Sequence, residues 1–271
     1  MSIGTFTLIR NEREWIGPHI MRILPHVDAM CFYDGDSTDG TLEIIEYIIE
    51  NHADGDKIIL VKGADPKNLK ESYVKMFNQC MGQLKTDWAW FIHPDMYVEN
   101  PEAIKKAGES DEISQFTNLK SYGGEPGGKL YEIKGRGEAW KNIYRLRNPD
   151  LGAHYHGFYG AQNEDVYYSA ITGNSHDHYG TSFEKYPYPV IDSGIHVQHY
   201  SDVRPLARRL ERMKRCLENQ GHPEGYIDEI AANHPRVTFK DGAGLEFKEV
   251  EWPEEFKRHE DIFKKINEKA H

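Results

Sequence analysis

The chain has little cysteine. Its 271 residues hold three, Cys31, Cys80 and Cys216, far apart and with no Cys-x-x-Cys pair. An odd, scattered set reads as small buried apolar groups, not as a disulfide framework or a zinc site. Long apolar runs are also missing: none approaches the roughly 18 residues of a membrane-spanning helix. The start of the chain has no basic stretch followed by an apolar one, because Thr5 to Ile9 is short and runs into Arg10-Asn11-Glu12. A signal peptide is therefore not expected, and the expected location is cytoplasmic. Positive charge is in deficit, with 44 acidic against 33 basic residues and a formal net charge of −11. That balance disfavours broad, non-specific nucleic-acid binding, though it leaves room for a local basic patch. There is no His-Glu-x-x-His, the helical zinc-hydrolase pattern.

The aromatic content of 12% argues for a packed core and against disorder. The length suits one large α/β domain, or one domain with a C-terminal extension. The first hundred residues alternate strand-like and helix-like patterns. Thr5–Ile9, Ala29–Tyr33, Lys57–Val61 and Trp88–Ile92 read as strands. Trp15, Ile16, Ile20, Ile23 and Leu24 recur at helical spacing, as do Leu42, Ile45, Ile48 and Ile49, and then Met76, Phe77, Cys80, Met81 and Leu84 within Leu69–Leu84. This alternation predicts a mostly parallel α/β sheet flanked by helices. Pro101 suits the first turn of a short helix.

Beyond residue 100 the pattern weakens. Strands are expected over Glu112–Asn118, Tyr131–Lys134, Asn142–Leu146 and within Val190–His199. The Gly-rich segment Ser121–Lys129 and the His- and Tyr-rich Gly173–Pro189 read as loops. Asn163 caps a predicted short helix over Val166–Ile171. A basic helix is expected over Val203–Asn219 and a charged amphipathic one over Glu254–Lys269.

Two stretches carry chemistry. Trp88-Ala89-Trp90-Phe91-Ile92 is a continuous apolar run, as in a strand buried on both faces. It ends in His93-Pro94-Asp95. In open α/β sheets ligands sit beyond the carboxyl ends of the strands, so two possible metal ligands there mark an active-site floor. The plainer reading is a strand ended by Pro94. The second stretch is Asp34-Gly35-Asp36-Ser37-Thr38-Asp39-Gly40-Thr41. Carboxylates at a strand end can accept hydrogen bonds from a ring N–H or from sugar hydroxyls. Its opening resembles a calcium-binding EF-hand loop, but Asp39 stands where that loop needs Gly and Ile45 where it needs Glu. The same residues also suit a plain strand–turn–helix capped by Ser37 or Asp39.

Taken in order, Thr5 to Glu12, Tyr33 to Thr41, Asn78 and Trp88 to Asp95 resemble family 2 glycosyltransferases of the GT-A fold. The resemblance is good over about the first 100 residues and loose beyond. It implies a GT-A domain over residues 1–200, with a nucleotide-binding half (1–100) and an acceptor-side half (101–200), and a helical extension over 201–271. Asp34 and Asp36 would bind the nucleotide, with Arg10, Asn11 and Glu12 nearby. The family's Asp-x-Asp places a divalent metal on the sugar-nucleotide diphosphate. Here the first Asp is His93 and only Asp95 remains. A His with an Asp suits Mn²⁺ better than an all-oxygen Mg²⁺ site.

A third metal ligand would come from Ile195-His196-Val197-Gln198-His199-Tyr200. His196 and His199 face opposite sides of an extended strand; His199 is favoured, with His196 as the alternative. His156, in Ala153-His154-Tyr155-His156-Gly157, resembles an acceptor-side segment of some members, and His176 and His178 form a similar pair. Inverting transfer needs a carboxylate base; Asp165 is the choice, with Glu164 second. Arg204, Arg208, Arg212 and Arg215 would share one face of the basic helix, which could meet diphosphate, an anionic acceptor, a membrane surface or DNA, or be a solvated face pairing with acids.

The implied activity is transfer of a sugar from a nucleoside-diphosphate sugar to an acceptor hydroxyl or similar nucleophile. The acceptor is open: a glycan, a peptide, a lipid-linked sugar or a modified base in DNA. Two other classes remain. One is a non-catalytic sugar-nucleotide or glycan binder. The other is a nucleotidyltransferase, which would usually carry a Gly-rich phosphate loop after the first strand; Ile9 to Trp15 contains no glycine.

Overall fold

The computed structural model describes residues 1–63, 76, 79–80, 82–111, 114–125, 128–134, 139–145, 190–219, 223–239 and 245–252. The chain forms two compact units. The first comprises Met1–Asn118, Ala139–Val197 and His259–His271; the second comprises Leu119–Glu138 and Gln198–Arg258.

The first unit is built on four parallel strands: β1 (Ile3–Ile9), β2 (Ala29–Gly35), β3 (Ile58–Gly63) and β4 (Trp88–Phe91). β1 pairs with β2 on one side and β4 on the other, and β2 pairs with β3. The order β3–β2–β1–β4 therefore reverses at β1: the chain steps outward to β3, then crosses back to lay β4 on the far side. Such a switch point opens a crevice at the carboxyl ends of β1 and β4. Further strands extend the sheet antiparallel, β8 (Ala139–Arg145) on β4 and the first part of β6 (Ser114–Gly124) on β8. The expected α/β architecture is present, with a parallel centre and antiparallel additions. Short β5 (Met96–Val98) was not expected and pairs with β9 (Val190–Val203).

Burial explains why these segments are strands. All four residues of β4 are buried, Trp88 and Trp90 fully. One face of the sheet lies under α1 (Arg13–Ile23), whose Trp15, Ile16, Ile20 and Ile23 point inward, and α2 (Thr41–Asn51), which buries Ile44, Ile45 and Ile48. The other face carries Phe6, Cys31, Tyr33, Ala89 and Phe91 against Met76, Cys80 and Leu84. Pro101 caps α3 (Glu102–Gly108), as its position predicts. Most of the expected Leu69–Leu84 helix, the Val166–Ile171 helix and the Glu254–Lys269 helix lie outside the described residues.

Gly63, at the end of β3, makes room for Tyr33: a Cβ built there would fall 1.8 Å from the Tyr33 hydroxyl oxygen. No substitution at 63 fits without moving that ring.

In the second unit the later part of β6 pairs antiparallel with β7 (Leu130–Lys134), and β7 with β10 (Glu246–Val250). Part of the segment expected as a Gly-rich loop, Ser121–Gly124, is thus strand. Among the described residues, three helices follow β9: α4 (Leu206–Asn219), α5 (Glu224–Asn233) and α6 (Pro235–Thr238). Met213, Leu217, Ile227, Ala231 and Val237 form their core. Among the described residues, no helix is long and apolar enough to cross a membrane.

β9 runs on to Val203, and α4 begins only at Leu206. Arg204 therefore precedes the helix instead of sharing a face with Arg208 and Arg212. Pro205 is the cause, since the residue before a proline is pushed out of helical geometry.

Candidate functional site

Two loops lie side by side where β1 and β2 end. Ile9 is level with Asp34 across the strand pair. The β1–α1 loop carries Arg10, Asn11 and Glu12; the β2–α2 loop carries Asp36 to Gly40. Backbone bonds stitch them together. The Asn11 N–H donates to Ser37 Oγ at 2.9 Å, and the Thr38 N–H donates to Asn11 Oδ1 at 2.8 Å. The Glu12 N–H donates to Thr41 Oγ1 at 2.8 Å, and the Arg13 N–H to Asp39 Oδ2 at 3.2 Å. Asp39 Oδ1 also accepts from the Thr41 N–H at 3.1 Å. Asp39 thus meets backbone donors at the starts of two helices, where a negative charge is favoured.

This accounting sorts the acidic turn. Ser37, Asp39 and Thr41 are occupied by the scaffold. Asp34 is different. Its side chain is 2% exposed, its Oδ2 accepts the Ser37 N–H at 3.0 Å, and its Oδ1 has no hydrogen-bond partner among the described residues. Leaving a buried acceptor unmet costs roughly 1–3 kcal/mol, more for a charged group. Asp36 is exposed and makes no hydrogen bond or ion pair among the described residues. It holds φ at +66°, in the left-handed region that disfavours side chains. Asn11 does the same at +55°. Left-handed non-glycine residues cluster at ligand sites. Next to Asp34, the Tyr33 phenol is pushed above its usual pKa by burial, by Cys80 and by the Asp34 charge.

The end of β4 forms the other wall of the crevice. The Ile92 N–H still bonds to Phe6 O at 3.3 Å, tying this end to β1. His93 is half-buried, its ring edge-on to Phe91 at 4.8 Å. A turn closes as the Met96 N–H donates to His93 O at 3.1 Å, and it buries the Asp95 carboxylate to 3% exposure. Among the described residues, no three His, Cys, Asp or Glu side chains converge to hold a metal. The donors present here, one carboxylate and one imidazole, suit a divalent ion that completes its shell with substrate phosphate and water.

His196 lies in the first unit with an exposed side chain; its backbone N–H donates to Asn100 Oδ1 at 2.8 Å. His199 and Arg204 belong to the second unit, and both are buried. Arg204 Nε donates to Ser201 O at 3.2 Å. His156, Glu164, Asp165 and Asn78 lie outside the described residues.

Sequence reasoning missed the bonds between the two loops. Residues 26 to 29 positions apart meet there. The available signal was the paired clustering of Asn, Ser, Thr and Asp at two successive strand ends, the types that bond backbone N–H groups outside helices.

No family model matches the chain, and no curated protein sequence matches it. Solved structures similar to it include glycosyltransferases and nucleotidyltransferases. S. aureus TarS, as its 1–349 fragment, is 15% identical, with 88% of this chain and 71% of that one covered and a TM-score of 0.41. GalNAc-T7, solved with UDP, GalNAc and Mn²⁺, is 10% identical over 85% of this chain and 53% of that one, with a TM-score of 0.46. A nucleotidyl transferase from Methanothermobacter is 12% identical over 88% and 99%, with a TM-score of 0.35. With every one of these scores below 0.5, the fold assignment rests on the chain's own strand order.

Proposed function

We propose that this chain transfers a sugar from a nucleoside-diphosphate sugar to an acceptor nucleophile, with a divalent metal, Mn²⁺ favoured over Mg²⁺. The observation that carries the reading is the unmet Oδ1 of Asp34. A buried carboxylate oxygen at the carboxyl end of β2, beside a switch point, suits the ring N–H of a nucleobase. Asp36, exposed two residues on, is placed to accept from ribose hydroxyls. Arg10, also exposed, is assigned to the phosphates.

Asp95 and His93 would hold the metal on the diphosphate. A bound divalent ion there would stabilise the negative charge of the leaving group. His199 is the proposed further ligand, with His196 second. Asp165, or failing that Glu164, is the proposed base that takes the acceptor's proton. His156 and Arg204 are assigned to the acceptor or diphosphate side. The acceptor class stays as open as the sequence leaves it.

His93 standing where an acid is expected favours a second reading, a sugar-nucleotide binder without turnover. A thermal-shift screen of nucleoside-diphosphate sugars with and without Mn²⁺ tests the proposal. The expected result is a raised melting temperature with one donor, enhanced by Mn²⁺, and slow donor hydrolysis. Asp95→Ala should abolish hydrolysis and the Mn²⁺ enhancement while leaving metal-free nucleotide binding. Stabilisation without hydrolysis would select the binder, and no stabilisation by any donor would refute both.

A further inference from the structure

Asn11 stands at the end of β1 with φ +55° and spends both its backbone N–H and its side-chain oxygen on the neighbouring loop. Its N–H reaches Ser37 Oγ, and its Oδ1 takes the Thr38 N–H. Ser37 in turn gives its own N–H to Asp34 Oδ2. The residue that holds Asp34's second oxygen is therefore itself held by Asn11. The chain of contacts runs Asn11, Ser37, Asp34, and it ends on a carboxylate whose first oxygen is buried and unmet.

The backbone geometry fits that role. Asn is among the few residues that adopt a left-handed conformation readily, and its side chain then reaches nearby backbone N–H groups. With φ fixed there, the Asn11 N–H and Oδ1 address consecutive residues, Ser37 and Thr38. The β2–α2 loop is gripped at the point where it leaves the strand, before its second attachment at Asp39 and Thr41. Holding a carboxylate in advance spares a ligand the cost of ordering it.

We propose that Asn11 is a positioning residue for nucleotide recognition: it acts through Ser37 to fix the Asp34 carboxylate, and does not itself contact the nucleotide. This inference rests on the nucleotide-binding reading given above. It reassigns Asn11 from the ligand contact that the sequence resemblance implied. Arg10 and Asp36, on either side of the clasp, keep their side chains in solvent.

The test is a double-mutant cycle read by calorimetry on the full chain. The probe is whichever of UDP, GDP, CDP and ADP binds the wild type most tightly. Asn11→Ala removes the acceptor and the left-handed preference, and should weaken binding about tenfold, within the range of coupling inside one hydrogen-bond network. Asn11→Asp keeps an acceptor oxygen and tolerates the same backbone, and should restore most of the loss. Made in an Asp34→Asn background, Asn11→Ala should cost less than about twofold, because the group it positions is already gone. Equal weakening in both backgrounds would mean that Asn11 acts independently of Asp34, and would overturn the proposal. So would wild-type affinity in Asn11→Ala.

Ser37→Ala gives a second route if Asn11→Ala does not fold. It removes the hydroxyl that accepts from Asn11 and should reproduce both the weakening and its loss in the Asp34→Asn background; unchanged affinity would count against the proposal. Amide hydrogen exchange of Thr38, measured without nucleotide, should accelerate in Asn11→Ala and not in Asn11→Asp. If no nucleotide binds the wild type, the functional reading falls and takes this assignment with it. If nucleotide binds both proteins alike, only the assignment falls.

Discussion

Each unit buries a carboxylate near the end of a strand, and the two are treated in opposite ways. In the second unit Asp202 is 5% exposed, and Arg236 meets both its oxygens, Nε at 2.8 Å and Nη2 at 2.7 Å. In the first, Asp34 is more deeply buried still, and among the described residues only one of its oxygens has a donor. The forked arginine makes Asp202 a closed structural unit. In the same unit Arg209 stacks 4.7 Å over Phe239 and donates from Nη1 to Gly124 O at 2.8 Å, though its Nε finds no acceptor among the described residues. Buried polar groups that answer one another within the fold hold it together. Asp34, half-answered at a strand end, is the one to which the proposed function assigns a ligand.

The sharpest way to break this contrast is to remove each carboxylate in turn. Asp202→Ala strands Arg236 in a partly buried setting and should cost about 3 kcal/mol in urea unfolding. It should leave nucleotide affinity unchanged. Asp34→Asn keeps an oxygen for the Ser37 N–H and should change stability by less than about 1 kcal/mol, yet weaken nucleotide binding, with a smaller but still measurable nucleotide-induced rise in melting temperature. If Asp34→Asn proves the more destabilising of the two, the division between structural and ligand-facing carboxylates fails.

A smaller effect is expected at Asp36. Its left-handed backbone suits glycine, so Asp36→Gly should stabilise the protein by about 1 kcal/mol while weakening nucleotide binding. Loss of stability on that change would show that the side chain serves the fold.

The smallest effect belongs to the second unit. His234 Nδ1 accepts the Arg236 N–H at 3.2 Å and caps α6. Burial, and then the Arg236 charge, push its pKa below the usual value, with Asp202 opposing. The folded pKa thus lies under the unfolded one of about 6.5. The neutral ring stabilises the folded state fully above that pH, and the contribution is lost as pH falls from there through the folded value. Unfolding free energy measured between pH 7.5 and 5.5 should fall more steeply in the wild type than in His234→Asn, which keeps a capping oxygen. Equal slopes would remove His234 from the account.

Much of the first unit was legible in the sequence because β1, β2 and β4 are buried on both faces. Trp88–Phe91 announces itself by unbroken apolarity, and α1 and α2 by their inward isoleucines. The second unit offers no such contrast. β10 has no fully buried residue, and α5 buries only Ile227 and Ala231. Neither leaves a periodic signature. For the site, the carboxylates at Asp34 and Asp36 could be picked out because strand ends are where such groups act. Their separate roles could not. Which of Asp34, Asp36 and Asp39 is occupied depends on a loop that lies a full helix away in the chain. Arg204 was misplaced for a local reason, and Pro205 was the overlooked mark.

The seat that Gly63 provides for Tyr33 has a bearing on how freely this protein can vary. Edge strands usually tolerate change, since one side faces no neighbour. β3 is an edge strand, yet at its last residue even one added methyl collides with the phenol of Tyr33. Tyr33 is covalently next to Asp34, and their side chains take opposite faces of β2, so a ring pushed at residue 63 bears on Asp34 through the backbone they share. Residue 63 is level with Gly35, between the two carboxylates assigned to the nucleotide, so a library built there would report on the proposed nucleotide recognition.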